Sequence, residues 1–294
     1  MKALGPTIFL AVVLALAPAA HAQPYSAPLN PHGQPDLAGY WSHATNTTLE
    51  RDPSFGDRRV MTQEEAEAAS EEMVIGAEAR TSFLVSPSNG RLPDLTPAAR
   101  AARADRLAAY PRGYGFQRGD HPEGMTLAER CLRDYGSLLG PPMMPVGYNN
   151  NYQIIQTQDH VVLLVEMIHD ARIIPLTNRH RDGVIRPWMG DSIGRYEGDT
   201  LVIETTNFRP GLAFAGAPET ITLIERFHRI GETQILYTFE IDEPGVFTAP
   251  IRGELAFNAI PGPIYEYACH EGNYSFPNQL LGHRLAESAL EDGK

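Results

Sequence analysis

The chain has 294 residues and a formal net charge of −12, from 24 Lys and Arg against 36 Asp and Glu. Its only lysines are Lys2 and Lys294, so a folded interior offers none for a Schiff base, a P-loop or a Ser–Lys dyad. The acidic balance speaks against nucleic acid and against an anionic membrane surface, both of which call for clustered positive charge.

Residues 1–22 carry the three parts of a secretory leader: Lys2, an apolar run over 8–17, and the small-x-small site Ala20-His21-Ala22. Pro6 and Pro18 keep that run well short of the ~20 residues a membrane anchor needs. The expectation is a periplasmic or secreted protein starting at Gln23, with no membrane insertion after cleavage. Cys131 and Cys269 then stand in an oxidising compartment, where one disulfide across a long loop is expected. A thiolate nucleophile at Cys269 is the sharper alternative, but His270 follows it directly and points to the other face of a strand.

Residues 23–60 read as an extended arm with one apolar motif, Leu37-Ala38-Gly39-Tyr40-Trp41. Thr62-Gln63-Glu64-Glu65 is a capping box that predicts a helix to about Arg80. Thr96-Pro97 supplies an N-cap and an N1 proline for a helix ending before Pro111. Thr126 and Glu129 cap a short helix carrying Cys131. The chain divides near residue 145, into the arm and helices of 23–145 and a strand-rich 146–294, the two forming one globular unit.

Residues 152–157 and 160–168 flank Gln158-Asp159, a hairpin signal. The unbroken apolar run 161–165 predicts a strand buried on both faces. Further strands are read at 171–176, at 201–206 after the Glu197-Gly198-Asp199 turn, at 220–229 and 233–242 around Gly231-Glu232, and at 250–259 and 264–269. Ser275 and Pro277 open a final amphipathic helix. Short consecutive strands with tight turns make an antiparallel meander. The fold class is therefore α+β, mainly β: a closed or nearly closed, lipocalin-like antiparallel barrel. The N-terminal helices and arm pack outside it, and a C-terminal helix completes the chain.

Four stretches hold candidate chemistry. The first runs from Glu166 through His169, Asp170 and Arg172. On a strand, Glu166, Asp170 and Arg172 share one side, and a histidine among acids suits proton transfer near neutral pH. The alternative is a strand-end clamp in which Arg172 pairs with Glu166. The second holds Trp188, Gly190, Asp191 and Ser192; its glycines bring backbone close to a strand or a ligand. Ser192 falls in a G-x-S-x-G frame that leads into a strand rather than a helix, unlike a nucleophile elbow. In the third, Ile221, Leu223 and Phe227 face inward and carry Glu225 with them, either as a group of raised pKa or paired with an arginine. The fourth, Tyr265, Glu266, Tyr267, His270 and Glu271, suits the lining of a pocket for an aromatic or polyhydroxylated ligand, or else covers the barrel end. His169, His180, His228 and His270 show no metal-binding spacing, and no dinucleotide fingerprint occurs, so neither metal nor cofactor is expected.

Taken together, Pro35-Asp36-Leu37-Ala38-Gly39-Tyr40-Trp41, Arg91-Leu92-Pro93, residues 167–175, Trp188-Met189-Gly190-Asp191-Ser192, residues 197–208 and residues 265–274 resemble a large group of exported bacterial proteins, mostly carried as hypothetical proteins. The resemblance spans nearly the whole mature chain and implies export of the Gram-negative type. Gly39-Tyr40-Trp41 is also similar to the G-x-W that opens lipocalin-like barrels, though here it lies far ahead of the main strands. The leading expectation is a barrel holding a small apolar or aromatic molecule and performing cofactor-free acid–base chemistry. His169 would move the proton, Asp170 orient it and Arg172 steady a developing anion, with Asp191 and Glu225 in reserve. Glu166, Trp188, Tyr265, Tyr267, His270 and Glu271 would contact the ligand. A non-catalytic carrier and a structural envelope protein with a filled core are the alternatives.

Overall fold

The computed structural model describes residues 25–109, 121–133, 140–209 and 213–292. The leader read at 1–22 lies outside them, as does most of the loop read at 112–124. In chain order the arm first supplies a strand, β1 (Gly39–Ser42). The Thr62 capping box forms: Thr62 Oγ1 accepts from the Glu65 N–H, and the Glu65 carboxylate accepts from the Thr62 N–H.

The helix it opens, α1 (Gln63–Ala68), is a correction, since it stops far short of Arg80. A small hairpin replaces the rest, with β2 (Val74–Ile75) and β3 (Glu78–Ala79) around Gly76 at φ 63°. Met73, Ile75 and Ala79 are buried there, and tertiary burial overrides the helical propensity of the Glu/Ala-rich run. Then follow β4 (Leu84–Ser86) and α2 (Pro97–Ala109), whose Ala99 N–H donates to Thr96 Oγ1. Thr126 and Glu129 exchange the capping hydrogen bonds, but the described residues 126–133 form turns rather than a helix. Cys131, at φ 52°, turns the chain away.

The barrel strands are β5 (Asn151–Gln156), β6 (His160–Val165), β7 (Ala171–Pro175), β8 (Asp191–Glu197), β9 (Thr200–Thr206), β10 (Leu223–Gly231), β11 (Gln234–Ile241) and β12 (Ile251–Ala259). The sheet runs β7-β6-β5-β1-β12-β11-β10-β9-β8, antiparallel at every step, with β4 added beside β12. Its two ends nearly close on each other, where Leu176 bridges Gly194 in parallel. A Cβ on Gly194 would sit 3.1 Å from Ile174 and 3.2 Å from Leu176, so the missing side chain lets this seam come together.

Three strand readings change. The arm contributes β1 to the wall, between β5 and β12. Residues 264–269 form no strand, because Pro261 and Pro263 lead into them and proline cannot donate to a ladder. In β6 one face is fully buried (Val161, Leu163, Val165) and the other only half-buried. The final helix, α3 (Ser275–Asp292), buries Leu280 and leaves Leu281, Leu285 and Leu290 exposed.

Alternation along each strand fills the interior. Trp41, Tyr152, Phe227, Tyr237, Phe239 and Phe257 are all at most 2% exposed, and burying each stabilises the fold by roughly 1.5–3 kcal/mol or somewhat more for the largest rings. His43, just past β1, is buried against the Tyr152 and Phe257 rings, and its Nε2 lies 3.0 Å from Tyr152 Oη. Burial pushes its pKa down from 6.5 to about 3.

The unfolded chain therefore takes up a proton on His43 below about pH 6.5 that the folded chain refuses until about pH 3. This residue should cost nothing above pH 6.5, then lower stability by up to about 1.4 kcal/mol per pH unit as the pH falls toward 3. Denaturant titrations of wild type and His43→Gln between pH 7 and 4 measure it. The wild-type slope should exceed that of the variant, and equal slopes would remove His43 from the acid response.

Candidate ligand-binding cleft

Inward alternation on β10 buries Leu223, Glu225 and Phe227, and on β7 it buries Arg172 and Ile174. These strands are not neighbours in the sheet, so the two charged side chains meet across the barrel interior. Arg172 Nη1 donates to Glu225 Oε1 at 3.0 Å and Nη2 to Oε2 at 2.6 Å. Tyr237 Oη donates to Glu225 Oε1 at 2.9 Å and accepts from the Met143 N–H. Arg172 Nη2 also reaches Ser192 Oγ and Thr205 Oγ1, at 3.3 and 3.4 Å, and those hydroxyls lie 2.8 Å apart.

Burial works against the Arg172 charge, but the Glu225 carboxylate outweighs it and holds the guanidinium pKa above its ordinary value. Burial, joined by the Glu225 charge, pushes the Tyr237 phenol well above its usual range. One polar atom of the network is left over: Arg172 Nε has no hydrogen-bond partner among the described residues.

Over this pair, where β7 and β8 begin and β9 ends, lies a cleft of about 300 Å³ lined by Asp170, Arg172, Arg181, Trp188, Asp191 and Ser192. Gly190 sets one wall. At φ 73°, its Cβ would fall 2.8 Å from both Thr205 Cγ2 and Thr206 O, so only glycine lets this loop press against β9. Its close backbone approach is to a strand. Trp188 is fixed from behind, by the Arg209 guanidinium stacked 3.8 Å from its ring and by Arg133 Nη1 donating to its carbonyl at 2.6 Å. The buried Arg133 also donates to Gly140 O.

Asp191 accepts from the Arg181 N–H at 2.9 Å and lies 3.0 Å from His180 Nδ1, while His180 Nε2 is 3.2 Å from Glu204 Oε1. His180 thus bridges two carboxylates rather than converging with them on one point. Among the described residues no group of three His, Cys, Asp or Glu is arranged to hold a metal. The sequence offered His180 only among the histidines without metal-binding spacing, and it did not single out Arg133 or Arg209. His180 and Arg209 sit in loops without periodicity, and no local pattern names their partners.

The first predicted stretch is divided. Glu166 to His169 form a turn in which Ile168 and His169 take φ of 58° and 47°, left-handed backbone that a β-branched residue rarely adopts. The expected strand alternation breaks there. Asp170 and Arg172 stay at the cleft, whereas His169 is exposed. Glu166 is buried and held by Asn149 Nδ2 (2.5 Å) and Asn151 Nδ2 (2.8 Å), so the partner of Arg172 is Glu225 and not Glu166.

The fourth stretch belongs to a second, open cleft of about 610 Å³ beside the disulfide, lined by Tyr267, Glu271, Glu266, Glu129 and Ile168 among others. Tyr267 stacks on Tyr148, and Tyr265 and His270 are exposed. Cys131 and Cys269 are bonded, 138 positions apart in sequence. This closes the thiolate alternative.

Fold and site together define an antiparallel, nearly closed barrel with a filled interior and a polar cleft at one end. No family model matches the chain, and neither a curated protein nor a solved structure shows significant similarity to it.

Arg172→Met and Glu225→Leu should each destabilise the protein by about 3–5 kcal/mol, because each leaves one charge buried and unpaired. The double variant should recover most of that loss. Denaturant unfolding of the four proteins gives the coupling, and additive losses would mean that the pair does not act as a unit.

Proposed function

We propose that the protein is an exported barrel that binds a compact, largely apolar or aromatic molecule in the cleft between Trp188 and Arg172. The observation that carries this reading is the cleft floor. A guanidinium held by Glu225, Ser192 and Thr205 cannot swing away, and the Trp188 indole, stacked on Arg209 with its backbone carbonyl tied to Arg133, forms one wall. Such preorganised groups bind without a large ordering cost. The filled interior favours this end of the barrel over a lipocalin-style central cavity. The volume, about 300 Å³, is that of a small metabolite site. Export is supported by the disulfide and by the leader pattern of residues 1–22; among the described residues no helix is long and apolar enough to cross a membrane.

Both halves of this reading are testable on one preparation. Expressed with its leader in a Gram-negative host, the protein should be recovered from the periplasm with Gln23 as its first residue. A fragment screen by thermal shift should then yield ligands that raise Tm in wild type and fail to do so in Trp188→Ala. Cytoplasmic retention with an intact N-terminus would contradict export. Ligands indifferent to Trp188→Ala would place binding elsewhere.

A second reading adds cofactor-free acid–base chemistry at the same cleft, supported by the two carboxylates that face it, Asp170 and Asp191. The exposed position of His169 shifts the proton-transfer role toward Asp191 with His180 as its orienting partner. Asp191→Asn should keep ligand binding and abolish turnover; turnover that survives it would leave the carrier reading alone.

A further inference from the structure

We infer that His180 is a proton-operated latch on the cleft wall: as the imidazolium it ties the loop between β7 and β8 to both β8 and β9, and on losing its proton it lets go of Glu204. The second half of this loop has anchors of its own. Asn207 Nδ2 donates to Ile185 O, Arg186 Nη1 to Phe208 O, and Arg209 Nε to Arg186 O. The first half, residues 178–184, is held by His180 and by Arg181, whose N–H donates to Asp191 Oδ2 at 2.9 Å. At its far end Val184 is 92% exposed, so apolar packing does not secure this stretch.

The hydrogen-bond count decides the protonation state. His180 Nδ1 lies 3.0 Å from Asp191 Oδ2 and Nε2 lies 3.2 Å from Glu204 Oε1. Ionised carboxylates only accept, and a neutral imidazole donates from one nitrogen alone. The imidazolium satisfies both contacts, whereas the neutral ring sets a lone pair against a carboxylate oxygen. Asp191 is the deeper acid and is also held by Arg181, through its N–H and with Nε 3.7 Å away. The half-exposed Glu204 is therefore the contact that breaks. The other charges nearby do not take its place. Arg179 and Asp182, on the same loop, lie 4.0 Å apart with their side chains out in solvent. Across the sheet Glu204 stands between Ile193 and Ile224; of the next outward charges, Arg195 pairs with Glu197 and Arg226 interacts with Glu240. The latch is closed at acidic pH and loosens as the pH rises through the titration of His180. Arg181 lines the cleft, so the same proton controls access to it, a consequence that rests on the cleft reading.

Amide hydrogen exchange without any ligand tests the latch by itself, so failure of the cleft reading leaves the measurement unaffected. After correction for the intrinsic rate at each pH, the Arg181 N–H of wild type should lose about tenfold in protection between about pH 5 and about pH 9, the factor that one charge-assisted hydrogen bond at a part-exposed site supplies. In His180→Gln its protection should not depend on pH. Glu204→Gln offers a carboxamide N–H that donates to the neutral ring, and should keep the low-pH protection of wild type across the whole range. Equal protection at both ends of the range in wild type overturns the latch. A fall like that of wild type in His180→Gln overturns it by assigning the response to another group. The same fall in Glu204→Gln overturns it by making the Glu204 contact incidental.

Discussion

The ion pair between Arg172 and Glu225 spans the interior of the barrel, from a strand at one end of the sheet path to one near the other. Removing two charges from water costs several kcal/mol each, and only excellent geometry with further hydrogen bonds offsets it. That requirement accounts for the polar residues packed around the pair. Tyr237 donates to the carboxylate, and Ser192 and Thr205 receive the outer guanidinium nitrogen. Aromatic and aliphatic side chains fill most of the rest of the interior. The described interior is therefore mainly apolar, its cross-barrel charge pair lying beneath the cleft.

The cleft walls depend on the same end of the barrel. Gly190 lets the loop before β8 press onto β9, which places Asp191 beside His180 and Ser192 beside Arg172. Arg133 ties the Trp188 carbonyl to Gly140, and Arg133 lies two residues from Cys131. The disulfide anchors that segment to the chain near β12 and α3. Tertiary bonds of this kind make the loop a rigid wall.

Much of this was legible in the sequence. The parity of Ile221, Leu223 and Phe227 carried Glu225 inward, the hairpin signals placed β5, β6, β10 and β11, and two cysteines in an oxidising compartment implied their bond. What escaped was non-local. Four residues, Gly39–Ser42, form a barrel strand only because β5 and β12 leave a gap for them, and Gly39-Tyr40-Trp41 was the sole local sign. The partner of Arg172 was misplaced because left-handed backbone at Ile168 and His169 breaks the period-2 count that aligned it with Glu166. His180 and Arg209 act through partners that loop sequence does not announce.

The central claim is that the cross-barrel pair holds both the β7 wall and the floor of the cleft. Hydrogen–deuterium exchange of wild type and Glu225→Gln, in conditions where both remain folded, tests it most directly. The account predicts lost protection concentrated in Ala171–Pro175 and in residues 187–192, with β11 and β12 retaining theirs. Unchanged exchange in those two segments, or loosening spread evenly over the whole barrel, would contradict it.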